Sequence, residues 1–176
     1  MKKLSFRTMP MLMVCTVFSL FCESCNSSSL VSPVDSVIMK SEVGDSIYRI
    51  ITEAKKIKAE EIKLAADTTK AEKQNILNVN SKYVPLVLFA VSDPKNFGGN
   101  TVSFGSFIPC FKLTFVRKEE TCTLNFDFGL KKWNICDNTG KDIKRYDLSS
   151  DNMLRIANML FPENDLYKKL INIEKK

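Results

Sequence analysis

The sequence predicts an α+β domain, and three observations carry that expectation. A stretch from Val34 to about Asn78 has no proline and spaces its apolar residues by three and four, which marks one stripe on a helix. Between Phe111 and Tyr146, apolar and polar residues alternate in short runs joined by brief polar connections, as in antiparallel strands. After Ser149 the spacing becomes helical again. The expected architecture is therefore a long N-terminal helix, an antiparallel β-meander of four to five strands and two short C-terminal helices.

Lys2, Lys3 and Arg7 precede an apolar run from Met9 to Cys22, followed by small Ser24. Positive, apolar and small residues in that order are the grammar of an export signal over residues 1–24. The run is 14 residues long, against roughly 20 for a helix that crosses a bilayer. Extending it back to Leu4 would bury Arg7, at about 2.5–3.5 kcal/mol on insertion scales. A retained membrane anchor is the weaker alternative.

The end of this run resembles the lipobox of bacterial lipoproteins, with Ser24 in the small position and Cys25 as the lipid acceptor. Cys22 stands where the aliphatic residue of the box is usual, and Glu23 places a charge inside it. The resemblance covers these 25 residues. It implies lipidation of Cys25, a Gram-negative cell envelope, and membrane contact through acyl chains rather than protein. Ordinary cleavage after Ser24 would give the same mature start. Residues 25–36, opening Asn26-Ser27-Ser28-Ser29, read as a flexible tether. They hold no acidic cluster of the kind some lipoproteins use for outer-surface display, so a periplasmic-facing domain is expected.

Residues 37–176 read as one domain, long enough to fold by burial. Its helix stripe runs through Val43, Ile47, Ile50, Ile51, Ala54, Ile57, Ile62 and Ala65. Five of these also fit alternating steps of four and three, but Glu61 takes the next seam position, so no sustained coiled coil follows. A straight helix of about 40 residues would reach about 60 Å, longer than such a domain. A break is expected at Asp67-Thr68-Thr69, with a further turn through Ile76-Leu77.

Val84 to Val91 carries apolar residues on both parities and reads as a strand buried on two faces, entered at Pro85. Asp93 to Asn100 is a loop by composition, and Val102 to Ile108 a further extended piece. The meander follows. Phe111, Leu113 and Phe115 share a face, as do Leu124, Phe126 and Phe128, then Trp133 and Ile135, with Ile143 to Tyr146 as a polar edge strand. Ser149-Ser150-Asp151 offers a cap to a helix ending at Pro162, and Asn164-Asp165 caps a last helix burying Leu166, Leu170 and Ile171. In order of elements, a helix before an antiparallel sheet resembles the cystatin-type and nuclear-transport-factor-type architectures, an analogy of fold alone.

Composition narrows the chemistry more than it identifies it. The chain has no histidine, which removes Ser-His-Asp and Cys-His catalysis and most zinc or iron sites. Of six cysteines, Cys15 and Cys22 leave with the signal and Cys25 is the acylation candidate. Cys110, Cys122 and Cys136 then allow at most one internal disulfide, with small buried thiols as the favoured reading. Residues 25–176 carry a net charge of +4, spread among acids and bases. That is no nucleic-acid stripe, and neither a cofactor nor a metal is expected.

Asp127, Asp137, Asp142, Asp147 and Asp151 could act as a general acid and base only if a pair converged in a cleft, and turns and caps are their commoner use. Trp133, the sole tryptophan, reads as core. Phe97 and Phe104 lie in a glycine-bearing segment and are the candidate partner contacts. The leading expectation is a lipid-tethered, non-enzymatic domain that binds a protein or an envelope polymer. A protective inhibitor or immunity-type protein is a version of it. An envelope hydrolase working through carboxylates is the competing class.

Overall fold

In the computed structural model, which describes residues 33–63, 75–99, 101–102 and 105–173, the long N-terminal helix is replaced by two short helices and a strand. Helix α1 spans Pro33–Val43, four residues inside the expected tether, and α2 spans Asp45–Thr52. Gly44 divides them at φ 81° and ψ 160°, a conformation open essentially to glycine alone. Strand β1, Lys56–Glu61, occupies the second half of the expected helix. There Ile57, Ala59 and Glu61 are buried while Lys56 and Lys58 are exposed, a period of two. The helical spacing from Ile50 to Ile57 is thus a coincidence across two elements. Lys, Ala and Glu favour helices intrinsically, and pairing with a neighbouring strand overrides that preference. The expected break at Asp67-Thr68-Thr69 and Ala65 lie outside the described residues. Ile76-Leu77 belongs to β2, Asn75–Asn78, rather than to a helical turn.

Val84–Ser92 is helix α3, not a strand. Pro85 sits in its first turn, where no amide donor is missed. Asn80 accepts from the Lys82 amide just upstream and turns the chain into the helix. A run apolar on both parities does not by itself distinguish a buried strand from a helix apolar all round. A tight turn over Pro94–Phe97 follows, initiated by Asp93, whose carboxylate accepts from the Lys95 amide. The described part of Val102 to Ile108 forms no strand, and Val102 is 91% exposed.

The meander strands fall where the alternation places them: β3 Phe111–Arg117, β4 Glu120–Asp127, β5 Lys132–Cys136 and β6 Asp142–Asp147. With β1 and β2 they make six antiparallel strands in the order β2-β1-β3-β4-β5-β6, so the expected count of four to five is corrected. Two of the six come from the charged stretch that reads as helix. Helices α4, Asn152–Leu160, and α5, Asp165–Ile173, close the fold. Ser150 Oγ accepts from the Asn152 amide at the start of α4, and Pro162 follows its end. In α5 the fully buried side chain is Tyr167, while Leu166 is 41% exposed and Leu170 and Ile171 are half-buried. No helix among the described residues is long and apolar enough to cross a membrane.

Helices α2 and α5 pack on the face of the sheet that carries the aromatic side chains, and the register explains why. Phe111, Phe126, Trp133 and Tyr146 stand opposite one another across four strands. Their rings touch in series at centroid distances of 5.8, 5.8 and 4.9 Å. Leu113, Leu124 and Ile135 form the next row. Phe161 after α4 and Tyr167 of α5 stand edge-on to Phe111, while Ile50 and Ile51 of α2 are buried over β3 and β4. The opposite face is a polar ladder. Glu60 meets Lys112 at 3.3 Å, Thr114 meets Thr123 at 3.3 Å, and Asn125 donates to Asn134 at 3.0 Å.

Candidate functional site

The aromatic row does not end in an apolar residue. On β1 the position opposite Phe111 is Glu61, and opposite Glu61 on β2 is Asn75. Parity therefore drives a carboxylate into the core face, where Glu61 is 3% exposed. Both its oxygens are held. Asn75 Nδ2 donates to Oε2 at 2.5 Å, and Asn164 Nδ2 donates to Oε1 at 2.5 Å. Such pairing is what makes a buried carboxylate tolerable.

Asn164 has two tasks. Its Oδ1 accepts from the Leu166 and Tyr167 amides at 2.8 and 3.2 Å, capping α5, while its Nδ2 reaches across to β1. Pro162 prevents α4 from continuing and makes room for this turn. Behind it, the Tyr167 hydroxyl donates to the Cys110 carbonyl at 2.7 Å, locking α5 to the start of β3. Burial pushes that phenol well above its ordinary range.

Between the β1–β2 edge and the α4–α5 turn lies an open cleft of about 480 Å³, with Glu61 and Asn164 at its floor and Ile76, Leu77 and Phe161 among its walls. An adjoining hollow of about 460 Å³ shares Glu61, Lys63, Glu163 and Asn164. Those volumes suit a small ligand or the side chains of a docked segment. The polar groups are the amide-held Glu61 carboxylate, the Asn75 and Asn164 amides, Lys63 and Glu163, against apolar walls. A carboxylate with two oxygens has lone pairs left for a further donor, so the arrangement offers an acceptor next to apolar surface. Strand β2 is also the edge of the sheet, and Ile76 on it is 61% exposed.

The residues singled out from sequence are distributed differently. Cys25 and Phe104 lie outside the described residues. Phe97 is not a surface contact: it is 7% exposed, with its ring edge-on to Trp133 at 5.5 Å and to Tyr146 at 5.4 Å. The turn after α3 folds it inward to cover the end of the aromatic row. Trp133 is core, and its indole N–H donates to the Asn96 carbonyl at 2.9 Å.

Each of the five aspartates has a local situation of its own. Asp127 accepts from the Ile108 and Leu130 amides at 2.9 Å each and ties two loops together. Asp137 closes the β5–β6 turn; the Thr139 hydroxyl, opposed by some burial and helped by the Lys141 and Thr139 amides, holds its carboxyl below the ordinary value. Burial alone would raise Asp142, but hydrogen bonds from Cys136, Asn134 and Arg145 outweigh it and lower this carboxyl. Asp147 pairs with buried Lys132, which chiefly lowers its carboxyl, and it also accepts from the Thr101 amide at 3.0 Å. Asp151 is exposed at the start of α4. Loop, turn and ion-pair roles thus engage four of the five carboxylates, and none of the five lines the Glu61 cleft.

Cys110, Cys122 and Cys136 are free and buried. Burial pushes their thiols up to about 11, about 12 and about 11. They are protonated near neutral pH and poor nucleophiles. Among the described residues no group of three or more acidic or thiol side chains could hold a metal ion.

Two features of the cleft escape a sequence reading. Glu61 is visible as an acid in an apolar phase, where it interrupts the stripe, yet only the strand pairing shows that it turns inward. Asn164 is visible as a helix cap, and nothing local marks its second bond. Comparison with protein families, with curated proteins and with solved structures found no match to this chain.

Proposed function

We propose that the chain is a lipid-anchored protein of the bacterial cell envelope whose folded domain works by binding rather than catalysis, with the Glu61 cleft as its contact site. The observation that carries the binding part is Glu61 itself, a carboxylate 3% exposed at the floor of a cleft, held by amides from β2 and the α4–α5 turn. Amides orient the carboxylate without supplying a titrating partner, which suits recognition of a donor on a ligand. The elevated thiols and the absence of histidine remove the usual nucleophile–base pairs from the described domain. The envelope address is supported by Lys2, Lys3 and Arg7, the short apolar run and Cys25. The periplasmic side is the proposed location, with a protein or an envelope polymer as the partner.

Two measurements test these parts separately. Radiolabelled lipid should enter the full chain and be lost in Cys25→Ala; an intact Met1 on protein from the cytosolic fraction would refute the address. For the cleft, a photo-crosslinking side chain at Ile76 should give discrete adducts in intact envelopes, reduced by Glu61→Gln. Identical adducts from Lys118, on the β3–β4 turn, would refute the assignment of the site.

A further inference from the structure

Helix α3 is apolar around its whole circumference, since Ser92 at its end is the single polar residue from Val84 to Ser92. A helix of that composition is normally enclosed on every side. Here the domain covers one side only: Val87, Ala90 and Val91 are at most 2% exposed, while Leu86 and Phe89, one turn apart, are 44% and 47% exposed. Such a pair on an all-apolar helix differs from the single exposed hydrophobes that any surface carries.

The flanks are basic. Exposed Lys82 precedes the helix, with its ammonium 4.7 Å from the Tyr83 ring centre, and exposed Lys95 follows in the next turn. The nearby acid, Asp93, is occupied by the Lys95 amide and by Asn152 Nδ2, both at 3.0 Å. Apolar side chains between a lysine–tyrosine pair and a second lysine match the headgroup boundary of a bilayer with anionic lipid.

Chain length identifies the occupant. Cys25 precedes Pro33, the first residue of α1, by eight residues. At about 3.5 Å per residue the intervening chain spans at most about 28 Å. Since α1 packs against α3, a lipid on Cys25 keeps α3 close to the membrane at high effective concentration. A small apolar face would bind a bilayer only marginally by itself, and the anchor removes the need to do so alone.

We propose that the Leu86–Phe89 face of α3, with Lys82 and Lys95, seats the domain on the anionic phospholipid surface that holds its N-terminal lipid. The inference rests on the lipoprotein reading above. The test uses the full lipidated protein in vesicles of phosphatidylethanolamine and phosphatidylglycerol, carrying an environment-sensitive fluorophore at Phe89→Cys or at Lys118→Cys. Burial of Cys110, Cys122 and Cys136 keeps labelling selective.

The expected result is a blue-shifted Phe89 label with a severalfold lower iodide quenching constant than the Lys118 label, and a difference that shrinks when the vesicles lack phosphatidylglycerol. Equal quenching at both positions in protein that carries the lipid would overturn the docking and leave the anchor standing. Failure of the chain to take up lipid would instead overturn the reading beneath it. Shielding of Phe89 that needs no vesicles and rises with protein concentration would assign the face to a second copy and likewise overturn the proposal.

Discussion

Replacing Asn164 by aspartate separates its two roles, because aspartate caps a helix as well as asparagine does but cannot donate to Glu61. The capping bonds to the Leu166 and Tyr167 amides survive, and the 2.5 Å bond to Glu61 becomes a contact between two carboxylates. At about 3 Å and an effective dielectric of about 20, their repulsion is about 5 kcal/mol. Protonation sets a lower ceiling. Neutralising a carboxyl of ordinary pKa at pH 7 costs about 4 kcal/mol, and the proton then bridges the pair. Asn164→Asp should therefore lose about 4 kcal/mol at pH 7, a large part of a typical domain stability of about 5–15 kcal/mol.

The sign with pH follows from the same pair. Its shared proton is held in the folded state above the unfolded carboxyl pKa, so the folded state binds more protons and the deficit shrinks as pH falls toward about 4. Asn164→Ala should lose about 2.5–4 kcal/mol, from the cap and one charge-assisted bond, with little pH dependence of this kind. Glu61→Gln combined with Asn164→Asp restores every bond: the Gln oxygen accepts from Asn75, and its amide donates to Asp. Urea unfolding of the chain starting at Asn26 measures all four forms. A pH-independent loss in Asn164→Asp, or a double variant no more stable than Asn164→Asp, would refute the network.

Lys132 is 3% exposed and its charge faces Asp147, so Asp147→Ala should cost about 3–5 kcal/mol and Lys132→Met much less. The Asp147 carboxyl is held low, so the stability from this pair is present above the unfolded carboxyl value of about 3.9 and is lost as pH falls through the folded one. Urea midpoints between about pH 5 and about pH 2 should drop in the parent and flatten in Asp147→Ala. Gly44→Ala should cost about 1–3 kcal/mol by the same assay, from backbone strain alone, because an added Cβ would meet nothing within 4 Å. Cys110, Cys122 and Cys136, with thiols raised to about 11, about 12 and about 11, should resist Ellman's reagent in the native chain and react fully in denaturant; rapid native reaction at pH 8 would refute their burial.

What was legible in the sequence follows from how many independent signals each element carries. The strands from Phe111 to Cys136 have apolar–polar alternation and short turns, two signals that agree, and strands form there, while Asp142–Asp147 is marked only by its turn and polar composition. Helices α4 and α5 have caps at Ser150 and Asn164 together with helical spacing. Lys56 to Glu61 has only six residues, five of them strong helix formers, and its alternation is legible only once β3 is known to lie beside it. Val84 to Val91 has composition without periodicity, and apolar residues on both parities behind Pro85 fit a buried strand entered at its first residues as well as a helix with proline in its first turn. Phe97 reads as a surface contact for a related reason. Glycines after it suggest an exposed loop, whereas the Pro94–Phe97 turn directs the ring onto Trp133.

The Glu61 cleft is the place where local rules conflict, and that conflict is an argument for the proposed binding role. One row of side chains crosses all six strands as Asn75, Glu61, Phe111, Phe126, Trp133 and Tyr146. Packing alone would extend the aromatic face with an apolar residue at position 61, and substituting a buried ionic group by one of similar volume is often neutral or stabilising. Glu61 instead requires two asparagine amides from distant parts of the chain to offset its desolvation. Consistency across levels is the rule for sequences shaped by folding, and departures gather where a surface is used. The same reasoning applies to Leu86 and Phe89, which a domain free of any partner would do better to make polar. Glu61→Leu should therefore stabilise the domain or leave it unchanged in urea when paired with Asn75→Ala and Asn164→Ser, which keeps the cap, while abolishing crosslinking from Ile76. A variant that is both less stable and fully crosslinked would mean that the carboxylate serves the fold and that contact at Ile76 does not depend on it.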